Sequence, residues 1–243
     1  MAKVWNTPLD SDRLMEASAA VLAEAVSDRG ARDRRDLLND DLETTQFAQY
    51  WFAEPQRTQL YKLANVLNRK RGPIANALRL ALSRIIITKS GGASLASDTS
   101  HSRPHRTRMT NPFNVFQGFA NSVTSIANAL EKDPPSGSAT VRRGDATRLR
   151  WPGEHSVDAI ITSPPYGSGI DYLRGHKLAL VWLGHTIPSL RKIRSGSIGT
   201  QRGLEIGTEA RQREIAEIAG AQGLDARSLR ILERFSDDIE KMF

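Results

Sequence analysis

The segment from Val157 to Tyr166 constrains the fold of this chain more than any other part of its sequence. Residues 157–161 read Val-Asp-Ala-Ile-Ile, which is typical of a buried β-strand. The pair Pro164-Pro165 follows closely, and because proline lacks a backbone N–H and has a fixed φ, a strand has to end there. In open α/β sheets ligands bind at the carboxyl ends of the strands, so we expect residues 162–166 to lie at such an edge.

Apolar residues recur at helical spacing through most of the first half of the chain. This pattern predicts helices over 10–28, with Ser11 or Asp12 as the N-cap, and then from Pro55, from Pro73 and from Asn111. An aromatic cluster between the first two helices is interpreted as core, with base stacking as the less favoured alternative: Phe47, Tyr50, Trp51 and Phe52.

The pattern changes after residues 133–138, which are rich in Pro, Gly and Ser. Residues 140–142 and 157–161 are strand candidates, and further helices are predicted over 172–183, 209–221 and 225–242. Alternating strands and helices are typical of α/β domains. We therefore expect an α/β fold, divided into a helical N-terminal region over 1–110 and an incomplete α/β region over 111–243.

The charge of the chain favours a polyanionic partner. Lys and Arg total 34 against 27 Asp and Glu, a formal net charge of +7. Nucleic acid is the obvious partner of that kind, and a solvated basic surface is the alternative. Residues 89–110 are polar and basic, which indicates either a long surface loop or a segment ordered only by a partner, and in both cases one able to contact phosphate. The cationic residues expected to contact DNA are Arg103, Arg106, Arg108, Arg174 and Lys177.

The sequence also excludes several classes of site. It contains no cysteine, so disulfides, thiolate metal sites and cysteine nucleophiles are ruled out. His155 and His185 have no partners that would complete a metal site, so no metal is expected. No apolar run approaches the roughly 18 residues of a membrane span, and the N-terminus lacks an apolar signal core. We therefore expect a soluble cytoplasmic protein with no membrane partner.

The residue types at 162–166 suit chemistry at an exocyclic amine. Ser163 Oγ and the Pro164 carbonyl can accept both hydrogens of a cytosine or adenine amino group, whose lone pair is otherwise delocalised into the ring. Acceptor dipoles aimed at the nitrogen also stabilise the positive charge that develops there. Tyr166 offers a ring for an extruded base, a contact worth about 1–3 kcal/mol. The missing cysteine excludes C5-cytosine methylation and zinc-dependent deamination.

The ten residues at 157–166, preceded by Gly144-Asp145, resemble the N4-cytosine/N6-adenine DNA methyltransferases. Weaker similarity to a bacterial branch of that family covers most of residues 45–243. The resemblance implies a partial Rossmann-like methyltransferase core, S-adenosylmethionine as cofactor, DNA as partner and a restriction-modification role. It implies that Asp145 contacts the adenine end of the cofactor and that four residues hold the target base: Ser163, Pro164, Pro165 and Tyr166.

A serine in the first position of this motif is typical of N4-cytosine enzymes, so cytosine N4 is the expected target and adenine N6 the alternative. Members of the family bind the cofactor on a glycine-rich turn, usually Phe-x-Gly-x-Gly after a strand, and this sequence has none. We therefore expect the middle part of a methyltransferase, either truncated or half of a split enzyme whose second polypeptide supplies that turn. The alternative to an enzyme is an inactive or accessory DNA-binding subunit. The alternatives to a DNA substrate are RNA and a protein amide.

Overall fold

The protein is represented by a computed structural model with two compact units. One unit comprises Met1–Val141 with Tyr172–Leu190, and the other comprises Arg142–Asp171 with Arg191–Phe243. The helix that follows residue 110 packs with the helices before it, and the expected regions 1–110 and 111–243 stay predictions. The residues described are 1–28, 41–88, 91–97, 104–145, 148–149, 151–163, 173–197, 217 and 223–240.

Helices make up most of the described chain. In order they are α1 (Ala2–Trp5), α2 (Ser11–Ser27), α3 (Leu42–Trp51), α4 (Glu54–Arg69), α5 (Pro73–Arg84), α6 (Val115–Lys132), α7 (Leu173–Leu180), α8 (Ile187–Ser195) and α9 (Ala226–Glu240). A 3-10 turn, Val181–Leu183, extends α7. The helices predicted in the first half are thus present, because their apolar spacing and their end signals are local properties of the sequence.

Polar side chains cap several of these helices at their first turn. Asp10, Asp41 and Asn114 each accept a hydrogen bond from the backbone N–H three residues later, at 3.1, 2.8 and 3.0 Å. Such a bond satisfies one of the N–H groups that a helix start leaves without an intrahelical partner. The cap of α2 is Asp10, one residue before the predicted Ser11.

The core of the first unit lies between α2, α4, α5 and α6, whose apolar faces pack together. The fully buried Trp182, just after α7, joins this core. Its ring meets Phe52 and Tyr61 edge to face, each with 5.1 Å between ring centroids. Other large buried side chains include Leu14, Leu60, Leu63, Leu67, Leu78, Leu82, Phe119 and Ile126.

An ion-pair cluster joins α2 to the end of α4. Glu24 accepts from Arg69 at 2.6 Å and from Lys70 at 3.0 Å. The hydrogen bond from Lys70, and after it the one from Arg69, lowers the pKa of the Glu24 carboxyl below its ordinary 4.5. Arg79 of α5 donates to the Leu67 carbonyl at 2.7 Å and so satisfies one of the free carbonyls at the same helix end.

Residues 91–97 lie against this core, although the sequence indicates a surface loop there. The Ala93 N–H donates to the Ile85 carbonyl and the Leu95 N–H donates to the Trp51 carbonyl, each at 2.8 Å. Such bonds allow a segment with few large apolar residues to be buried, because its peptide groups are satisfied. The carbonyl groups that accept these bonds follow no repeating sequence pattern, so the periodicity of apolar residues does not predict them.

A short antiparallel hairpin continues from this segment. Its strands are β1 (Ala96–Ser97) and β2 (His105–Arg106). The side-chain amide of Asn111 fastens the base of the hairpin by donating to the carbonyls of Gly92 and Ser94, at 2.8 and 3.0 Å. The basic residues of β2 are therefore presented from a hydrogen-bonded ladder.

The α/β fold expected from the sequence is wrong for the described chain. Residues 157–161 form no strand, and the side chains of Ile160 and Ile161 are 82% and 99% exposed. Residues 140–142 form no strand either, and the described residues are mostly helical with one two-stranded ladder, β1–β2. A strand needs neighbours that bond its backbone and cover its apolar face, and the described chain supplies none for residues 157–161. A partial Rossmann-like core is therefore not observed among the residues that the structure describes.

Helix α9 belongs to the second unit and matches the helix predicted over 225–242. Asp225 caps it by accepting from the Ser228 N–H at 2.7 Å, and this bond lowers the pKa of the Asp225 carboxyl. The helix predicted over 209–221 lies outside the described residues, apart from residue 217. In the part of the chain that the structure describes, no helix combines the length and the apolar character that crossing a bilayer requires.

Candidate nucleic-acid interface and target-base segment

Ser163 is the first residue of the motif predicted to hold the target base, and it is exposed. Pro164, Pro165 and Tyr166 lie outside the described residues. The strand predicted to present the motif is not formed, so the sheet edge expected around Ser163 is not part of the described structure. The structure therefore places one of the four motif residues, as an exposed residue.

Asp145, predicted to contact the cofactor, is exposed in the second unit. Its backbone carbonyl accepts from the Arg148 N–H at 3.0 Å. Close by in sequence, the Arg142 guanidinium carbon lies 4.7 Å from the ring centroid of Trp151. The described residues include no Phe-x-Gly-x-Gly turn of the kind expected to bind S-adenosylmethionine. These residues alone do not fit the cofactor.

Two of the cations predicted to contact DNA meet the same helix of the first unit. The Arg106 guanidinium carbon lies 5.1 Å from the Tyr50 ring centroid, and Lys177 Nζ lies 5.3 Å from the Phe47 ring centroid. Phe47 and Tyr50 are one turn apart on α3, so cations from β2 and α7 come together along one helix face. Each such cation–π contact is worth about 0.5–1 kcal/mol at an exposed site.

The other predicted DNA contacts are distributed differently. Arg108 lies against the base of the hairpin, since a Cβ at Gly91 would come within 2.3 Å of Arg108 Nη1. Gly91 also has a φ of 100°, a conformation that favours glycine. Arg174 is on α7, three residues before Lys177. Arg103 lies outside the described residues.

The aromatic cluster of α3 is divided between core and surface. Phe52 is fully buried, as the sequence predicts, whereas Tyr50 is 52% exposed. Trp51 stands edge-on to Tyr50, with 5.0 Å between ring centroids and 85° between the planes. The helical spacing of Phe47, Tyr50 and Trp51 already indicates that these three share a face, while Phe52 follows the end of the helix. Sequence reasoning missed Tyr50 as a surface residue because it treated the four rings as one cluster.

Buried hydrogen bonds connect the hairpin to the helical core. Gln56, buried on α4, donates through its amide nitrogen to the carbonyls of Asn111 and Phe113, at 2.9 and 2.8 Å. Asn111 in turn holds the base of the hairpin. Arg106 is therefore presented from a position already set by packing, which reduces the ordering cost of binding an anion.

Among the residues that the structure describes, no group of three or more His, Asp or Glu side chains could hold a metal ion. Comparison with known proteins gives no relative from which a role could be transferred. No protein-family model matches the chain, and neither does any curated protein or solved structure. The function therefore has to be argued from the residues themselves.

Proposed function

We propose that this chain supplies the base-holding segment of an S-adenosylmethionine-dependent DNA methyltransferase acting on the exocyclic amine of a flipped base, with cytosine N4 as the preferred target. The ten-residue sequence at 157–166, with Gly144-Asp145 upstream, carries the proposal. The absence of cysteine supports amino methylation over C5 methylation or deamination. The net charge of +7 supports DNA as the partner.

In this proposal Ser163 and Pro164 act on the target amine. The serine Oγ and the proline carbonyl accept its two hydrogens, which frees the nitrogen lone pair from the ring and stabilises the developing positive charge. Tyr166 stacks on the extruded base and offsets part of the few kcal/mol that extrusion costs. Asp145 is the one residue of this chain that the proposal assigns to the cofactor.

A second polypeptide carrying the glycine-rich cofactor turn completes the proposed enzyme. Two observations support such a partner: the chain contains no Phe-x-Gly-x-Gly sequence, and Ile160 and Ile161 expose apolar side chains directly before Thr162-Ser163. Neighbouring exposed isoleucines are unfavourable in water and typical of a surface that another chain covers.

Transfer of tritium from labelled S-adenosylmethionine to DNA tests the proposal, with the chain alone and with the products of adjacent reading frames. We expect Ser163→Ala to reduce tritium incorporation by about 100-fold. This is the typical effect of removing one hydrogen-bonding group that stabilises the charge developing in a transition state. Ser156→Ala is the matched control, because Ser156 is exposed in the same unit and its hydroxyl donates to the Gly153 carbonyl. Absence of Ser163-dependent transfer under every condition would sink the proposal.

An accessory DNA-binding subunit is the second candidate function. The observation in its favour is the convergence of Arg106 and Lys177 on α3, together with the poor fit of the described residues to the cofactor. An accessory subunit is expected to bind DNA in a salt-dependent way and not to bind the cofactor. Calorimetry with S-adenosylmethionine therefore distinguishes it from the methyltransferase. Mass spectrometry of digested product DNA distinguishes cytosine N4 from adenine N6.

A further inference from the structure

We propose that the outer face of α3 binds single-stranded nucleic acid, with Tyr50 as the surface on which an unpaired base stacks. The inference does not depend on methyl transfer, and the site lies outside the motif at 162–166. It consists of three aromatic and two cationic side chains: Phe47, Tyr50, Trp51, Arg106 and Lys177.

The first observation is the exposure of Tyr50. Just over half of this residue, 52%, is open to solvent, although Ala48 and Phe52 of the same region are fully buried. Trp51 lies edge-on beside it, and the Trp51 carbonyl accepts from the Leu95 N–H, which ties the end of α3 to the hairpin. An open ring on a well-anchored helix turn suits base stacking, because every base has a π-face.

The second observation is the pair of cations along the same face. Arg106 lies over the Tyr50 ring, and its Nε is buried without a hydrogen-bond partner. The other N–H groups of the guanidinium are separate donors, and an anion can accept charge-assisted hydrogen bonds from them. Lys177 lies over Phe47, one turn earlier on α3. One cation therefore lies over the Tyr50 ring and a second lies over Phe47, on the same helix.

The combination of ring and cations favours a single strand over other polyanions. A duplex hides the faces of its bases inside the stack and offers phosphates alone. An acidic peptide would pair with the cations but would have no flat group for Tyr50. A single strand presents both bases and phosphates, and proteins that bind such strands combine aromatic platforms with a basic surface.

Fluorescence anisotropy on the full chain tests this with a labelled oligo-dT, a duplex of equal length and polyglutamate as the purely anionic competitor. We expect Tyr50→Ala to weaken oligo-dT binding by about 10-fold, as loss of one stacked base predicts, and to leave duplex binding unchanged. Tyr50→Phe should bind as the wild type does. Tyr50→Leu keeps apolar volume without a π-face and should behave as Tyr50→Ala does, with circular dichroism confirming that each variant is folded.

The logarithm of the binding constant falls with the logarithm of the salt concentration. Arg106→Gln should make this slope shallower by about one unit, because one phosphate contact is lost. Lys132→Gln is the matched control: Lys132 is exposed at the end of α6, and its loss should leave that slope unchanged. Ser156→Ala, at an exposed serine to which neither proposal assigns a role, should bind oligo-dT normally. None of these measurements uses methyl transfer, so failure of the methyltransferase proposal leaves this one intact. Wild-type oligo-dT affinity in Tyr50→Ala, an equal loss for duplex, or equal competition by polyglutamate would overturn the inference.

Discussion

Trp182 is the largest of the fully buried side chains described, and its neighbour Tyr61 is buried enough for desolvation to raise the pKa of its hydroxyl above 10.0. We predict that Trp182→Ala lowers the free energy of unfolding by about 3–5 kcal/mol, because it removes a large ring from a packed core. Urea denaturation measures this. Trp151→Ala, at an exposed tryptophan, is the control and should cost under about 1 kcal/mol. Equal losses would contradict the burial of Trp182.

Glu24 makes one contribution to stability pH-dependent. Lys70 and Arg69 lower the pKa of its carboxyl in the folded state, so its contribution is present above the unfolded pKa and is lost as pH falls through the folded pKa. We predict that Glu24→Gln lowers Tm slightly at about pH 7 and not at about pH 3, and the effect is small because the pair is exposed. Glu16→Gln, exposed on the same helix, should show no such difference. Thermal melts at both pH values check this.

At the scale of elements, Thr44 connects the starts of α3 and α8. It is fully buried, its hydroxyl bonds to the Asp41 carboxylate, and its Oγ1 accepts from the Ile187 N–H at 2.8 Å. We predict that Thr44→Val costs about 1–3 kcal/mol, because the Ile187 N–H then lacks its acceptor, whereas Thr44→Ser keeps most of the stability. Hydrogen exchange at the Ile187 amide reports the bond directly. Unchanged exchange in Thr44→Val would show that the bond is absent in solution.

The elements also show where local patterns stop being informative. Helices α2, α4, α5 and α6 follow from apolar spacing and from proline or polar residues near their starts. The path of residues 91–97 does not, since it depends on close approach to another part of the chain. A Cβ at Gly92 would lie 2.3 Å from the Ile85 carbonyl oxygen, so the absence of a side chain matters there. From sequence alone, a glycine in a polar stretch indicates a flexible loop. Its role in close packing becomes visible only when the group that packs against it is known.

On the scale of the whole molecule, the exposed isoleucines before Ser163 connect the structure to the proposed partner. We predict that Ile160→Ser combined with Ile161→Ser leaves the stability of the chain within about 0.5 kcal/mol, because both side chains are already in water. The same variant should lose methyl transfer in the presence of the partner polypeptide. Denaturation and tritium incorporation measure the two effects. A loss of stability above about 2 kcal/mol would show instead that the pair is buried within this chain.

The candidate site was predictable only in part. Arg106 and Lys177 could be chosen from the sequence because a basic chain favours a polyanion, but their meeting at α3 depends on β2 and α7 reaching the same helix. Ser163 is placed but lacks the expected strand, and the roles of residues 164–166 stay predictions. Tyr50 was passed over, because exposure depends on what packs around a ring.

The sequence by itself determined helices α2, α4, α5 and α6, since apolar spacing and helix-end signals are local properties of the chain, whereas the role of the motif at 162–166 stays a prediction. Tertiary structure decided that residues 92–96 are buried, that residues 157–161 are exposed without a strand, and that Tyr50 faces solvent beside Arg106. The physical reason is the same in each case. A helix satisfies its own backbone, whereas the burial of an extended segment or a ring depends on groups contributed from distant parts of the chain.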